Sequence, residues 1–160
     1  MKLTLFITLL FFIFVSCKKE KVYQPVQISC NLTKDLDSCK ALIKGSWTWL
    51  EEKRASFTQP DYQYLTPKNQ GITRILKFSN DTARFFKNNL PDSVYTFKIL
   101  RLAEISGTNF PEDNDPIIVY YNLHNGLRRS FVPLKICHKF LLLQHQFVSS
   151  VVGEQIWAKQ

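Results

Sequence analysis

Glycine is scarce in this chain, five residues in 160, while phenylalanine appears thirteen times. That balance excludes collagen-like and low-complexity classes. Histidine occurs three times, and His124, His138 and His145 are far apart in the sequence. No serine or cysteine sits in a Gly-x-Ser-x-Gly elbow. With no nucleophile–base arrangement in view, no enzymatic activity and no cofactor are expected. Acids are the minority charge, 13 Asp and Glu against 21 Lys and Arg, for a net +8. The cations are spread along the chain and form no basic run with interleaved aromatics, so nucleic acid is not an expected partner. What is present is a 45% hydrophobic fraction, enough for the core of one domain.

The one long apolar run is at the start. Lys2 is followed by thirteen residues, Leu3 to Val15, in which only Thr4 and Thr8 are polar. As a helix this run covers about 20 Å, short of the ~30 Å hydrocarbon core. A charged start, a short apolar core and a small residue make a secretory signal. Phe14-Val15-Ser16-Cys17 then resembles the bacterial lipobox. In that family the cysteine thiol is diacylated, the preceding segment is removed and the new amine is acylated. The resemblance implies a signal peptide over 1–16, lipidation at Cys17, a lipidated tether over 17–32 and a folded domain over 33–160. It also implies a place in the cell envelope, on the periplasmic side of a bacterial membrane, with the outer membrane expected. Removal of the signal leaves 144 of the residues and a net +7, because that segment carries Lys2 and no acid. Lys18, Lys19 and Lys21 lie beside the anchor and suit an anionic lipid surface, although a solvated tether is the preferred reading of them.

With Cys17 assigned to lipid, Cys30, Cys39 and Cys137 remain. An oxidising compartment favours one pair. Cys30–Cys39 is the most local and is taken as the expected disulfide; pairing of Cys137 with either, or three free thiols, stays open. Cys137-His138 looks like half a metal site, but strand neighbours point to opposite faces, and no metal is expected.

Residues 18–32 lack periodicity and contain Pro25. Thr33 to Lys44 reads as a short helix with Leu36, Cys39, Leu42 and Ile43 on one face, Thr33 or Asp35 as cap and Gly45 as stop. Short strands follow: Ser46–Arg54, Ile72–Phe78, Thr82–Lys87, Ser93–Leu100, Ile117–Tyr121, Leu127–Ile136, Lys139–His145 and Glu154–Lys159. Ser56 to Asn69 reads as a long loop, and turns fall at Ser79–Asp81, Asn88–Asp92 and Asn125-Gly126. About eight strands with hairpin connections exclude a parallel α/β sheet, which needs crossovers. The expected fold is all-β, an up-and-down antiparallel eight-stranded barrel with a short N-terminal helix, since closure removes exposed edges.

The pattern of a short helix, Gly45-Ser46-Trp47 and a first strand resembles the start of lipocalins. The later rhythm is similar to lipocalin-like domains of small Gram-negative lipoproteins: Thr66-Pro67 before Gly71–Asp81, then Leu141-Leu142-Leu143 and Glu154–Lys159. The resemblance covers about residues 36–159. It implies a basic residue over the Gly-x-Trp indole, for which Lys159 is the match, and Trp47 closing the barrel floor.

In such a barrel alternate residues face inward and fill the interior or line one small ligand site. Alternation places Arg74, Leu76 and Phe78 on one face, Tyr95, Phe97 and Ile99 on another, and Ile118 and Tyr120 on a third. These eight are the candidate ligand-binding residues, with Arg74 suited to an acidic headgroup. Glu112, Asp113 and Asp115 lack the spacing of a calcium loop. Glu51 and Glu52 lie on opposite faces and form no catalytic pair. The expected function is a membrane-anchored lipoprotein binding a small apolar or amphipathic molecule. The alternative is a protein-interaction or inhibitor module with a filled barrel, using loops 56–70 and 108–116.

Overall fold

The computed structural model describes residues 23–56, 59–107, 114–147 and 151–160. The expected signal segment, Cys17, Glu112 and Asp113 lie outside these residues. The strands are β1 (Gly45–Ser56), β2 (Gln59–Leu65), β3 (Arg74–Ser79), β4 (Thr82–Lys87), β5 (Leu90–Arg101), β6 (Pro116–Asn122), β7 (Arg128–Ile136), β8 (Phe140–Phe147) and β9 (Val151–Lys159). The described residues also hold three short helices, α1 (Leu36–Leu42) ahead of β1, α2 (Pro67–Gln70) and α3 (Ala103–Ser106). All strand pairings are antiparallel. β1 and β3 to β9 follow one another in chain order, and β1 also pairs with β9, closing an eight-stranded up-and-down barrel. Among the described residues no helix is long and apolar enough to cross a membrane.

Alternation and turn chemistry produce this path. On β3, Leu76 and Phe78 are buried while Lys77 and Ser79 are exposed. Asn80 (φ 51°) begins the β3–β4 turn; Asn88 (φ 52°) and Asn89 (φ 63°) form a two-residue β4–β5 turn. Asparagine tolerates this left-handed backbone, which suits the twist of a tight hairpin. β5 therefore starts at Leu90, earlier than the sequence suggests, and Pro91 is accommodated where the ladder slips at Phe85/Phe86.

The stretch Ser56–Asn69, expected as a loop, instead holds β2 and α2. Among the described residues β2 bonds only to β1, and a strand at a sheet edge tolerates Pro60. β1 divides one edge between two partners, Gly45–Thr48 with β3 and Glu52–Ser56 with β2. Thr66 and Asn69 form a capping box around Pro67, and Gly71 (φ 62°) ends α2.

Helix α1 closes one end of the barrel. Asp35 caps it by accepting from the Ser38 amide at 2.8 Å, and that bond holds the Asp35 carboxyl below its ordinary range. The helix is shorter than Thr33–Lys44 because Thr33 is drawn into a bridge with Ile136. Cys39 and Ile43 pack into the core against Trp47, which is fully buried. The Trp47 indole Nε1 donates to the Ile43 carbonyl at 2.7 Å. Lys159 lies over that ring, Nζ 5.1 Å from its centroid, and donates to the Leu42 carbonyl at 3.0 Å. Gly45 adopts φ 115° under the same lysine, where a Cβ would lie 3.4 Å from Lys159 Cε.

The segment expected as a tether is, from residue 23 onward, a strap on the outer wall. The Tyr23 hydroxyl and the Val26 amide both donate to Glu51, the latter at 2.9 Å, and the Tyr23 ring meets Tyr64 at 5.2 Å. Partial burial and then the Glu51 carboxylate push the Tyr23 phenol pKa up, which keeps it a donor. Cys30 is disulfide-bonded to Cys137. Thr33 N donates to Ile136 O at 2.7 Å, and Lys34 pairs with Asp115 at 2.8 Å. The expected Cys30–Cys39 pair is therefore not formed. Helix α1 turns Cys39 into the core, whereas Cys30 follows the outside wall to the β7–β8 turn. Burial, and then Asp35, push the Cys39 thiol up to about 11, so it is inert near neutral pH.

Candidate functional site

The interior divides into two halves. Towards α1, the expected lining residues Leu76, Phe78, Phe97, Ile99 and Ile118 are at most 7% exposed. They pack with Trp47, Leu134, Ile136 and Leu141 into one cluster. These five are core rather than cavity wall at the mouth, because alternation on every strand converges there with nothing but apolar side chains. Phe97 and Ile99 also border a shallow outer groove of about 590 Å³ beside α1 and β5.

The opposite end is different. A partly open cavity of about 350 Å³ is lined by Arg74, Phe85, Lys87, Asp92, Gln155 and Trp157, with Ile75 and Phe86 at its side. The rings of Phe85, Tyr95 and Tyr120 meet edge-on, with centroids 5.8, 5.7 and 5.9 Å apart. Of the eight expected ligand residues, Arg74 lines this cavity, and Tyr95 and Tyr120 are tied to its wall through Phe85.

A buried charge sits behind it. Glu52 is fully buried and paired in register with Gln155 on β9. It accepts from Arg54 Nε and, at 3.1 Å, from Gln155 Nε2, while Arg74 Nη1 lies 3.6 Å away. The Arg74 guanidinium also stacks on Trp49 at 4.5 Å. Arg74 thus faces the interior as expected, but shares its charge with Glu52.

A slip in register between Trp49 and Glu51 decides which glutamate enters. Trp49 and Glu52 share the inner face, and Glu51 takes the outer face under the strap. Glu51 and Glu52 are on opposite faces, as expected, though only the bulge makes Glu52 the inner one.

The indole Nε1 groups of Trp49 and Trp157 and the Tyr120 hydroxyl are buried without a hydrogen-bond partner among the described residues. Buried polar groups are normally paired; of these three residues Trp157 lines the cavity, Trp49 lies under Arg74 and Tyr120 packs on Phe85. Burial pushes the Tyr120 phenol pKa up, which keeps it a donor.

Sequence reasoning missed Glu52, Arg54, Phe85, Gln155 and Trp157. The alternation Ala83–Phe85 and Gln155–Trp157 signals the last three. No pattern signals Glu52, because the bulge reverses the parity of β1.

The Glu52 cluster carries a stability prediction. Replacing both Arg54 and Arg74 by methionine leaves the carboxylate without counter-charge. The expected loss is about 3 kcal/mol, the low end for a broken buried pair because both guanidiniums are partly exposed. Adding Glu52→Gln to that double variant should restore most of it. Urea unfolding followed by tryptophan emission reads both changes.

At the closed end, Cys30, Cys137 and His138 place ligand-type atoms within 4.8 Å of one another. The two sulfurs are bonded to each other, and a disulfide offers no thiolate to a metal. Asp115 is taken by Lys34. Comparison with protein-family models, curated proteins and solved structures returned no match.

Proposed function

We propose that this protein is a lipocalin-like, membrane-anchored lipoprotein that binds a small amphipathic molecule carrying one negative charge at the mouth of its barrel. The observation that carries the reading is the mouth cavity. Its volume lies at the low end for small-molecule sites. Its walls are aromatic, and its polar groups are the Arg74 guanidinium, Lys87, Asp92 and Gln155. A carboxylate headgroup meets the cationic side chains Arg74 and Lys87 of the lining, and charge-assisted hydrogen bonds are the strong ones. The apolar remainder of such a ligand meets Phe85 and Trp157. The anchor rests on the lipobox-like Phe14–Cys17 and places the site beside a source of amphipathic molecules.

The test uses a chain of residues 18–160, which retains every described element. Decanoate and decan-1-ol serve as probes, read by tryptophan emission and native mass spectrometry. Decanoate should bind and the alcohol should bind about tenfold more weakly, the size of one charge-assisted contact. Arg74→Gln should remove that preference. A folded barrel with no response to either probe overturns the ligand reading and favours the filled-barrel interaction module.

A further inference from the structure

Every large apolar side chain left exposed among the described residues lies off the closed end. Leu90 is 69% exposed, Leu123 51% and Leu127 64%; Tyr23, Tyr62, Val94 and Phe131 are exposed as well. Single exposed apolar residues are ordinary. Three leucines at the tips of two adjacent hairpins are not, because such turns favour Asn, Gly, Asp and Ser. Leu90 follows the Asn88–Asn89 turn, and Leu123 and Leu127 flank His124–Gly126 between β6 and β7. Lys87, Arg128 and Arg129 stand exposed at the same tips, against Asp92 as the one acid there. At the other end Asp35, Asp37, Asp81, Glu104 and Asp115 are interspersed with Lys34, Lys40, Lys44, Arg101, Lys139 and Lys159.

The strap points the same way. From Thr33 at the closed end the chain, followed backwards, passes the Cys30–Cys137 bond and climbs to Tyr23 beside Glu51 and Tyr64. Six residue steps separate Tyr23 from Cys17, at most about 20 Å of extended chain. An anchor at Cys17 therefore holds the barrel against the bilayer, with no room for a long swing.

We infer that the mouth rim, through Leu90, Leu123 and Leu127 and the cations Lys87, Arg128 and Arg129, is a second membrane contact that seats the barrel mouth-down on an anionic lipid surface. The leucines enter the interfacial layer and the cations meet lipid phosphates, the combination that holds peripheral proteins at a bilayer. The mouth cavity then opens towards lipid. This seating takes its anchor from the lipoprotein reading above, and its surface chemistry stands on the rim alone.

The test uses the full chain, purified from membranes and reconstituted in phosphatidylethanolamine–phosphatidylglycerol vesicles containing acyl-brominated lipid, which quenches tryptophan on contact. The Leu127→Trp chain carries a reporter on the rim and the Lys139→Trp chain one at the β7–β8 turn of the closed end. Emission above that of the unaltered chain should fall by about half for Leu127→Trp and stay unchanged for Lys139→Trp. Equal quenching, quenching of Lys139→Trp alone, or quenching of neither overturns the seating. A third variant guards against a local disturbance at 127: with Leu90, Leu123 and Leu127 all changed to Ser and Cys17 changed to Ser, vesicle binding should fall about tenfold below Cys17→Ser alone; an unchanged affinity overturns the contact. Intact mass reads acylation at Cys17 separately. An unacylated chain that still shows rim quenching refutes the anchor and upholds the surface.

Discussion

Replacing Cys30 or Cys137 by serine should lower barrel stability by about 4–5 kcal/mol, the entropy of releasing a loop of this size from the unfolded chain. The two residues are 107 apart in sequence, so few cross-links in this chain would constrain it more. The loss corresponds to a fall in Tm of about 10–15 °C. Thermal unfolding of the serine variants, and of the unaltered chain under reductant, should agree. The bond itself is checked by proteolysis without reduction, where fragments carrying Cys30 and Cys137 should migrate as one. Alkylation of the native protein should leave Cys39 unmodified, since its thiol is buried and raised to about 11. Denaturant should expose it. A native chain that alkylates at Cys137 would refute the pairing.

Trp47→Ala should cost about 4 kcal/mol, the range for a large aromatic removed from a core. Three things leave together: the buried ring, the donor to the Ile43 carbonyl and the surface under Lys159. Trp47→Phe separates them. It retains much of the ring and orphans the carbonyl, for an expected loss of about 1–2 kcal/mol. Lys159→Met keeps the aliphatic stem and loses the cation over the ring, at about 0.5–1 kcal/mol. Guanidinium unfolding midpoints rank the three. If Trp47→Ala unfolds no more easily than Lys159→Met, the indole is not the keystone of the closed end.

The barrel was legible because its determinants are local. β3, β5 and β7 carry stretches of period-two pattern, asparagines mark the turns after β3, β4 and β6, and sequential hairpins leave few topologies once crossovers are absent. Gly45-Ser46-Trp47 and Lys159 were legible through a resemblance, and the structure brings them together at the floor. What escaped depends on distant partners. β2 is polar, with Pro60 near its start; it is a strand because β1 offers it half an edge, which no window of sequence reveals. The strap is aperiodic because it follows a wall built by β1, β2 and the β7–β8 turn. Cys30 was paired with its nearer neighbour because distance along the chain was the sole guide, while α1 withdraws Cys39 inward. In the site, Arg74, Tyr95 and Tyr120 followed from alternation, and Glu52 did not, since one slip in the ladder changes its face.

The pairing of β1 with β9 has a bearing on synthesis. Strands β3 to β8 each meet a neighbour as soon as it leaves the ribosome. β1 must wait for residues 151–159 before its second edge is satisfied. Until then the nascent sheet has two raw margins, at β1 and at β8, of the kind that recruit strands from other molecules. A stop codon ahead of residue 151 would therefore do more than shorten the protein: it would leave an unsealed sheet prone to clumping.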